Sequence, residues 1–380
     1  MSVAKRLDPE PERRDFIPVA EPSLGEREVE LVTDAVRSGW VSSIGEYVTA
    51  FEAELASRCG VADAVATSNG TTALHLALAV AGIGPGDEVI VPSLTFVATA
   101  AAVKYLGASP VLAESDAAHW CLDPEDVASR ITPRTRAIVA VDLYGHPADM
   151  DALGELAAAH DLVVVEDAAE ALGAVYRGRP AGGLGLLGVL SFYGNKLITT
   201  GEGGAVLVDD PALADRARLL RDHAMDPNRR YWHGEIGFNY RITNMQAALG
   251  VAQLERLDEF VARKREIASV YRAGLHDVLG VSLQEEAEWA TSSWWMTTLR
   301  IDAGAGVGRD ELAERLRADG VDSRPAFVPL HLLPHLRQEG ALPVAEAVGS
   351  EGLSLPSSTS LTDSELAWVI GSVRRGMGCG

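Results

Sequence analysis

The sequence predicts an α/β protein with a large, mostly parallel-sheet domain and a smaller C-terminal α/β domain. Short runs rich in Val, Ile and Leu recur between Pro18 and Asp210, and Ala-rich helical stretches separate several of them. After Thr243 this texture gives way to a long helical pattern.

In chain order the strand candidates are EVIV (Glu88–Val91), PVLA (Pro110–Ala113), AIVAV (Ala137–Val141), LVVV (Leu162–Val165), GVLSF (Gly188–Phe192) and AVLV (Ala205–Val208). Near-continuous apolar strands alternating with helices such as TALHLALAVAG and DALGELAAAH indicate a sheet covered on both faces. Beyond Thr243, Asn244 is a candidate cap for one long helix from Met245 to Leu275, where Ala248, Ala252, Phe260, Ile267 and Tyr271 follow helical spacing. A Trp-rich strand (Trp294–Ile301), a helix around Asp310–Ala318 and a final helix opened by the capping box Thr362…Glu365 complete the smaller unit. The expected division is a charged lead-in over 1–16, a large domain over 17–250 and a small one over 251–380. There are no internal repeats and no low-complexity tract.

With 380 residues at 47% hydrophobic content the chain can bury a large core. A formal net charge of −21 argues against a generic nucleic-acid or acidic-membrane surface. An anionic small molecule stays open, because a few arginines and backbone amides can bind phosphate inside an acidic protein. Three cysteines (Cys59, Cys121, Cys379) without paired spacing suggest reduced thiols, no zinc site and a cytoplasmic protein. The opening MSVAKRLDPEPERRD has no apolar core of a signal peptide, and no run approaches the ~18 apolar residues of a membrane span.

Four segments carry chemistry, and none decides the matter by itself. In SNGTTALHLAL (Ser68–Leu78) a polar turn opens an apolar helix, an arrangement suited to an anion at Gly70 and Thr71 and equally to an ordinary helix cap. In LVVVEDAAE (Leu162–Glu170), Asp167 follows a buried strand at the edge where α/β sheets bind ligands. It can pair with a protonated ring nitrogen or cap a helix. In SFYGNKLITTGEGG (Ser191–Gly204), Lys196 lies between two strands beside a Gly-rich turn, the setting a nucleophilic lysine needs. A lone lysine is otherwise a solvated charge. In GFNYRITNMQ (Gly237–Gln246), Asn239 and Arg241 can serve an anion or bond between domains. The four together supply what pyridoxal phosphate requires: a phosphate cradle, an acid for its ring nitrogen, a lysine for its aldehyde and a closing polar loop.

On these motifs, with GWVSSIGEYVTAFE from Gly39, PSLTFVATA from Pro92 and VEDAAEALGA from Val165 in the same order, the chain resembles the DegT-type sugar aminotransferases over nearly its whole length. These are fold-type-I enzymes with a seven-stranded-type sheet that aminate nucleotide-linked keto sugars. SFYGNKLITTGEGG looks most like the GDP-perosamine-synthase-like 4-aminotransferases within that family. The resemblance implies that Lys196 is the Schiff-base lysine, that Asp167 partners the pyridine nitrogen and that Phe96 stacks on the ring, where a core aromatic is the plain alternative. Gly70, Thr71 and Ser191 would hold the phosphate, and Asn239 would reach it from a neighbouring subunit, implying a homodimer with shared sites. The apolar start of the helix after Asn244, too apolar to leave in water, points the same way. Many members carry glutamine beside the phenolic oxygen where this chain has Glu170, and a carboxylate there repels a phenolate unless one is protonated. The family's dehydratase branch replaces the lysine with histidine, and Lys196 argues against it.

The implied reaction takes the amino group of L-glutamate to a nucleotide-diphosphate keto sugar. GDP-4-keto-6-deoxymannose is the expected acceptor, and dTDP- or UDP-linked 4-keto (or 3-keto) sugars are the alternative. Candidate acceptor contacts are Trp40, Ser42 and Ser43, the stretch containing Arg229 and Tyr231, and Arg324 with His331 in SRPAFVPLH. A non-catalytic binding protein of the same fold is a second class, which Lys196 and Asp167 weigh against. A Rossmann oxidoreductase lacks its G-x-G-x-x-G after the first strand.

Overall fold

In the computed structural model, which describes residues 15–379, the α/β expectation is met by a seven-stranded sheet. Its strands are β1 (Asp63–Thr67), β2 (Glu88–Pro92), β3 (Ser109–Ala113), β4 (Thr135–Val141), β5 (Val163–Asp167), β6 (Leu187–Ser191) and β7 (Gly204–Val208). They lie in the order β1-β7-β6-β5-β4-β2-β3, and only β7 runs antiparallel to its neighbours. Successive side chains point to opposite faces, so Val89 and Val91 enter one core with Val139 and Val165, while Ile90, Ile138 and Ala140 enter another. Both faces are dry, which is why these strands read as continuous apolar runs. The run Asp63–Thr67 was not foreseen as a strand: DAVAT is short and mostly alanine or threonine, and it is held at the sheet edge by β7 alone.

The long helix expected over Met245–Leu275 is two helices, α1 (Asn244–Leu254) and α2 (Leu257–Leu275), broken at Glu255–Arg256. The two parts serve different cores. In α1, Ala248 and Ala252 pack with Leu31 and Ala35 of the helix Glu26–Ser38, whereas Ile267, Tyr271 and Leu275 of α2 pack in the C-terminal core. The apolar start of α1 is therefore covered within the chain and gives no argument for a partner subunit. The cap is Thr243, whose hydroxyl accepts from Gln246 N–H while the Gln246 side chain accepts from Thr243 N–H. Asn244 is buried instead: its amide donates to the Trp40 carbonyl (2.7 Å) and accepts from Tyr47 N–H (3.1 Å), fastening the loop over 39–45.

The C-terminal part builds a four-stranded antiparallel sheet from Val281–Leu283, Thr298–Ile301, Gly352–Ser354 and Arg324–Pro325, backed by the helices Arg309–Ala318 and Asp363–Gly376. The strand expected over Trp294–Ile301 begins only at Thr298. The final capping box is present as expected. Ile17, where the large domain was expected to begin, packs in the C-terminal core and bridges to Val321. Most of the expected lead-in over 1–16 lies outside the described residues.

Replacing Asn244 with Ala should remove the side-chain partner of the Trp40 carbonyl and the Tyr47 N–H, at a cost of about 0.5–1.5 kcal/mol per bond. Denaturant unfolding of the variant checks this, and a midpoint equal to that of the unaltered protein contradicts it.

Candidate active site

The C-terminal ends of β2, β4, β5 and β6 meet at one edge of the sheet, where ligands of open α/β sheets bind. Register then assembles the rest: Gly204 of β7 lies opposite Thr67 on one side and Ser191 on the other. The turn after Thr67 therefore delivers the N-terminus of the helix Gly70–Val80 beside Ser191. A Cβ on Gly70 would lie 2.7 Å from that of Ser191, and one on Gly204 would lie 2.5 Å from the Asn69 carbonyl oxygen. Asn69 caps Thr72 N–H, so the first N–H groups of the helix, those of Gly70 and Thr71, face the same edge as the Ser191 side chain. Free N–H groups at a helix N-terminus beside a hydroxyl suit an anion.

Between β6 and β7 the chain folds back tightly. Thr199 Oγ1 donates to the Phe192 carbonyl and accepts from Gly201 N–H, and Gly201 takes φ +81°. That fold carries Lys196 into the pocket. Its Nζ lies 3.6 Å from Glu170 Oε1 and 3.9 Å above the centre of the Trp295 ring. Glu170 Oε2 accepts Tyr144 N–H at 2.8 Å. Asp167, at the tip of β5, accepts from the Thr99 hydroxyl at 3.0 Å and from Ala169 N–H at 3.3 Å.

Burial pushes the Lys196 amine below its ordinary value, while Glu170 and Asp167 pull it back up. Burial raises both carboxyls, against the opposing pull of Thr99 and Ala169 on Asp167 and of Lys196 and Tyr144 N–H on Glu170. The pocket thus holds its amine closer to the unprotonated state than water would, as a nucleophilic lysine requires.

Other expected residues fall around this centre. Phe96 is 54% exposed, its ring 5.9 Å from that of Phe327, so it is a surface ring beside β2 and not a core aromatic. Trp40, Ser42 and Ser43 occupy the exposed or half-buried loop tied to Asn244. Arg229 stacks on Trp232 at 3.9 Å and Tyr231 is 75% exposed on the same loop. Arg324 is exposed at the edge of the small sheet. His331 is only 4% exposed: Ser93 Oγ holds its Nδ1 at 2.7 Å and Glu346 its Nε2 at 3.2 Å, so the structure does not bring it to an open face. Asn239 is exposed, and among the described residues its side chain has no hydrogen-bond partner. Arg241 pairs with Asp222 at 3.1 Å. Sequence reasoning missed Thr99, Tyr144 and Trp295. The paired tryptophans of Ser292-Ser293-Trp294-Trp295 were the available signal, but they read as strand.

These residues fit pyridoxal phosphate. The cradle between Gly70 and Ser191 excludes even a methyl group on the glycine, and a buried acid and a desolvated amine lie at the same sheet edge. Buried Asn195 Oδ1, next to Lys196, has no hydrogen-bond partner among the described residues. Fold and site together define the class of α/β enzymes that carry pyridoxal phosphate on a lysine.

The chain belongs to the DegT/DnrJ/EryC1/StrS aminotransferase family, whose model matches residues 22–374. It is 47% identical over 361 residues to GDP-perosamine synthase of Caulobacter vibrioides, covering 94% of this chain and 97% of that one. It is 44% identical over 337 residues to dTDP-3-amino-3,4,6-trideoxy-alpha-D-glucose transaminase of Streptomyces venezuelae, covering 87% of each. Among solved structures, aminotransferase TlmJ from Streptoalloteichus hindustanus matches with a TM-score of 0.91 at 38% identity, over 96% of this chain and 99% of that one. The family's aminotransferases use pyridoxal 5'-phosphate, and the chain is an enzyme of that kind.

A buried lysine lies behind the pocket. Lys264 of α2 donates to the Trp295 carbonyl at 2.8 Å, and burial lowers its amine from 10.5 to about 7. Between those values the unfolded chain holds a proton that the folded one has lost, so this group makes stability rise with pH from about 7 to 10.5. The stability of the unaltered protein relative to Lys264→Met should therefore grow across that window. Parallel stability–pH curves for the two proteins would contradict the assignment.

Proposed function

We propose that the enzyme transfers the amino group of L-glutamate to a nucleotide-diphosphate-linked 4-keto-6-deoxy sugar, with GDP-4-keto-6-deoxymannose as acceptor and GDP-perosamine as product. The observation that carries the reading is the desolvated Lys196 amine held beside Asp167 and Glu170, in a chain whose 47%-identical relative is named GDP-perosamine synthase. Bound there, pyridoxal phosphate would supply an electron sink at the amino-bearing carbon. Lys196 Nζ takes the proton from that carbon and returns it, acting as the base and then the acid. Asp167 holds the proton of the pyridine nitrogen, with Thr99 fixing one of its oxygens. Burial raises the Glu170 carboxyl, which favours its neutral form and lessens its repulsion of the phenolic oxygen that glutamine meets in many members. Gly70, Thr71 and Ser191 bind the phosphate, and Phe96 offers a ring face to the pyridine. A dTDP- or UDP-linked keto sugar is the second reading, favoured by the 44%-identical dTDP-amino-sugar transaminase.

The enzyme works as a homodimer with shared sites, in which Asn239 reaches the phosphate held by the other subunit. The unpartnered Asn239 side chain supports this. So do Trp40 and Ile44 on the loop tied to Asn244 and Tyr231 and Ile236 on the next exposed loop, apolar groups left facing outward. The exposed Trp40, Ser42, Ser43, Arg229, Tyr231 and Arg324 are the contacts assigned to the nucleotide and sugar. No described helix is long and apolar enough to cross a membrane, and the three cysteines are free, in keeping with a cytoplasmic enzyme.

Incubation with glutamate and a panel of nucleotide keto sugars should give the fastest 2-oxoglutarate release with GDP-4-keto-6-deoxymannose. Faster turnover of a dTDP- or UDP-linked sugar selects the second reading. Lys196→Ala should abolish turnover while leaving a folded protein. Once Asn239→Ala is shown to impair turnover, mixing it with Lys196→Ala should restore activity. Equal mixing gives about half mixed dimers with one intact site each, hence about a quarter of full activity. No recovery after verified subunit exchange places Asn239 outside the partner's site.

A further inference from the structure

The Lys196 amine has an aromatic neighbour nearly as close as its acid, and that neighbour is secured from several sides. The Trp295 indole N–H donates to the Asn195 carbonyl at 2.7 Å, one residue before the lysine. Its ring stacks near-parallel on Tyr144, 6.3 Å between centres, and Tyr144 stacks in turn on Phe327. Tyr144 is the residue whose N–H fixes Glu170. The approach of the two segments needs Gly145, at φ +100°: a Cβ there would lie 2.7 Å from Trp295 N. Behind the indole, the Trp295 backbone carbonyl accepts from buried Lys264. The charged or titratable groups facing this cluster are Asp167 and Glu170 from the tip of β5 and the turn after it, the Tyr144 hydroxyl after β4, and Lys264 from α2.

We propose that Trp295 is a positioning residue for Lys196, that the free amine docks in its protonated form on the indole face and so stays beside Glu170 and Asp167, and that Lys264 secures the indole through its backbone carbonyl. An ammonium over an indole is attracted by the ring's negative face, most strongly where water is excluded. The amine must alternate between protonated and neutral forms while detached, and a docking face holds it within reach in the form that would otherwise leave for solvent. The proposal rests on Lys196 being the cofactor lysine.

The test reads Lys196 directly in the cofactor-free protein, so it does not depend on turnover or on the identity of the sugar. Limited reductive methylation with formaldehyde across pH, with Lys196 labelling read by peptide mass spectrometry, gives the amine's own titration. Trp295→Leu keeps the surroundings apolar and removes the ring, so the midpoint should fall by about one pH unit. Trp295→Phe keeps a ring face and should stay near the unaltered protein. Lys264→Met should shift the midpoint the same way by less, and no shift there removes Lys264 from the proposal. A folded Trp295→Leu with an unchanged or higher midpoint overturns it. Should that variant not fold, tetrafluorotryptophan at 295 keeps the shape while cancelling the negative face. It must lower the midpoint, and an unchanged one overturns the proposal equally.

Discussion

An amine and two carboxyls share a largely buried pocket at the end of the sheet, and much of the surrounding structure serves to keep all three there. Any one of them buried alone would be strongly destabilising or would lose its charge. Beside one another they offset part of that cost, and each meets a further partner: Thr99 for Asp167, Tyr144 N–H for Glu170, the Trp295 ring face for Lys196. Burial lowers the amine and raises both carboxyls, so the neutral form of each is favoured more than it would be in water.

The sheet makes that grouping geometric. Adjacent parallel strands put Asp167 and Ser191 at one edge, and antiparallel β7 brings Gly204 between Ser191 and Thr67. The phosphate cradle and the lysine pocket are therefore built from the same register, with glycines where backbone and side chain come too close for a Cβ. A slip of register in β6 or β7 would separate the cradle from the amine. A cofactor held by both would also tie them together.

The parallel core was legible in the sequence because strands buried on both faces must be apolar throughout, and Val/Ile/Leu runs have few other uses. The edge strand Asp63–Thr67 was not, since alanine and threonine carry little strand signal and its partner lies far along the chain. The break at Glu255–Arg256 was invisible because neither residue breaks helices and the cause is packing on two different cores. Asn244 was misread as the cap because its real partners, Trp40 and Tyr47, are distant in sequence. The site shows the same division. Lys196, Asp167, Gly70 and Ser191 sit in local motifs of strand, turn and glycine, whereas Thr99, Tyr144 and Trp295 reach the pocket only through tertiary packing.

The central claim is that Lys196 is the residue that carries pyridoxal phosphate. Loading the purified protein with pyridoxal phosphate, reducing it with borohydride and mapping the modified peptide tests this most directly. A single phosphopyridoxyl group is expected on Lys196, in the peptide that spans SFYGNKLITTGEGG. The group on another lysine, such as the buried and acidified Lys264, with Lys196 unmodified would contradict it.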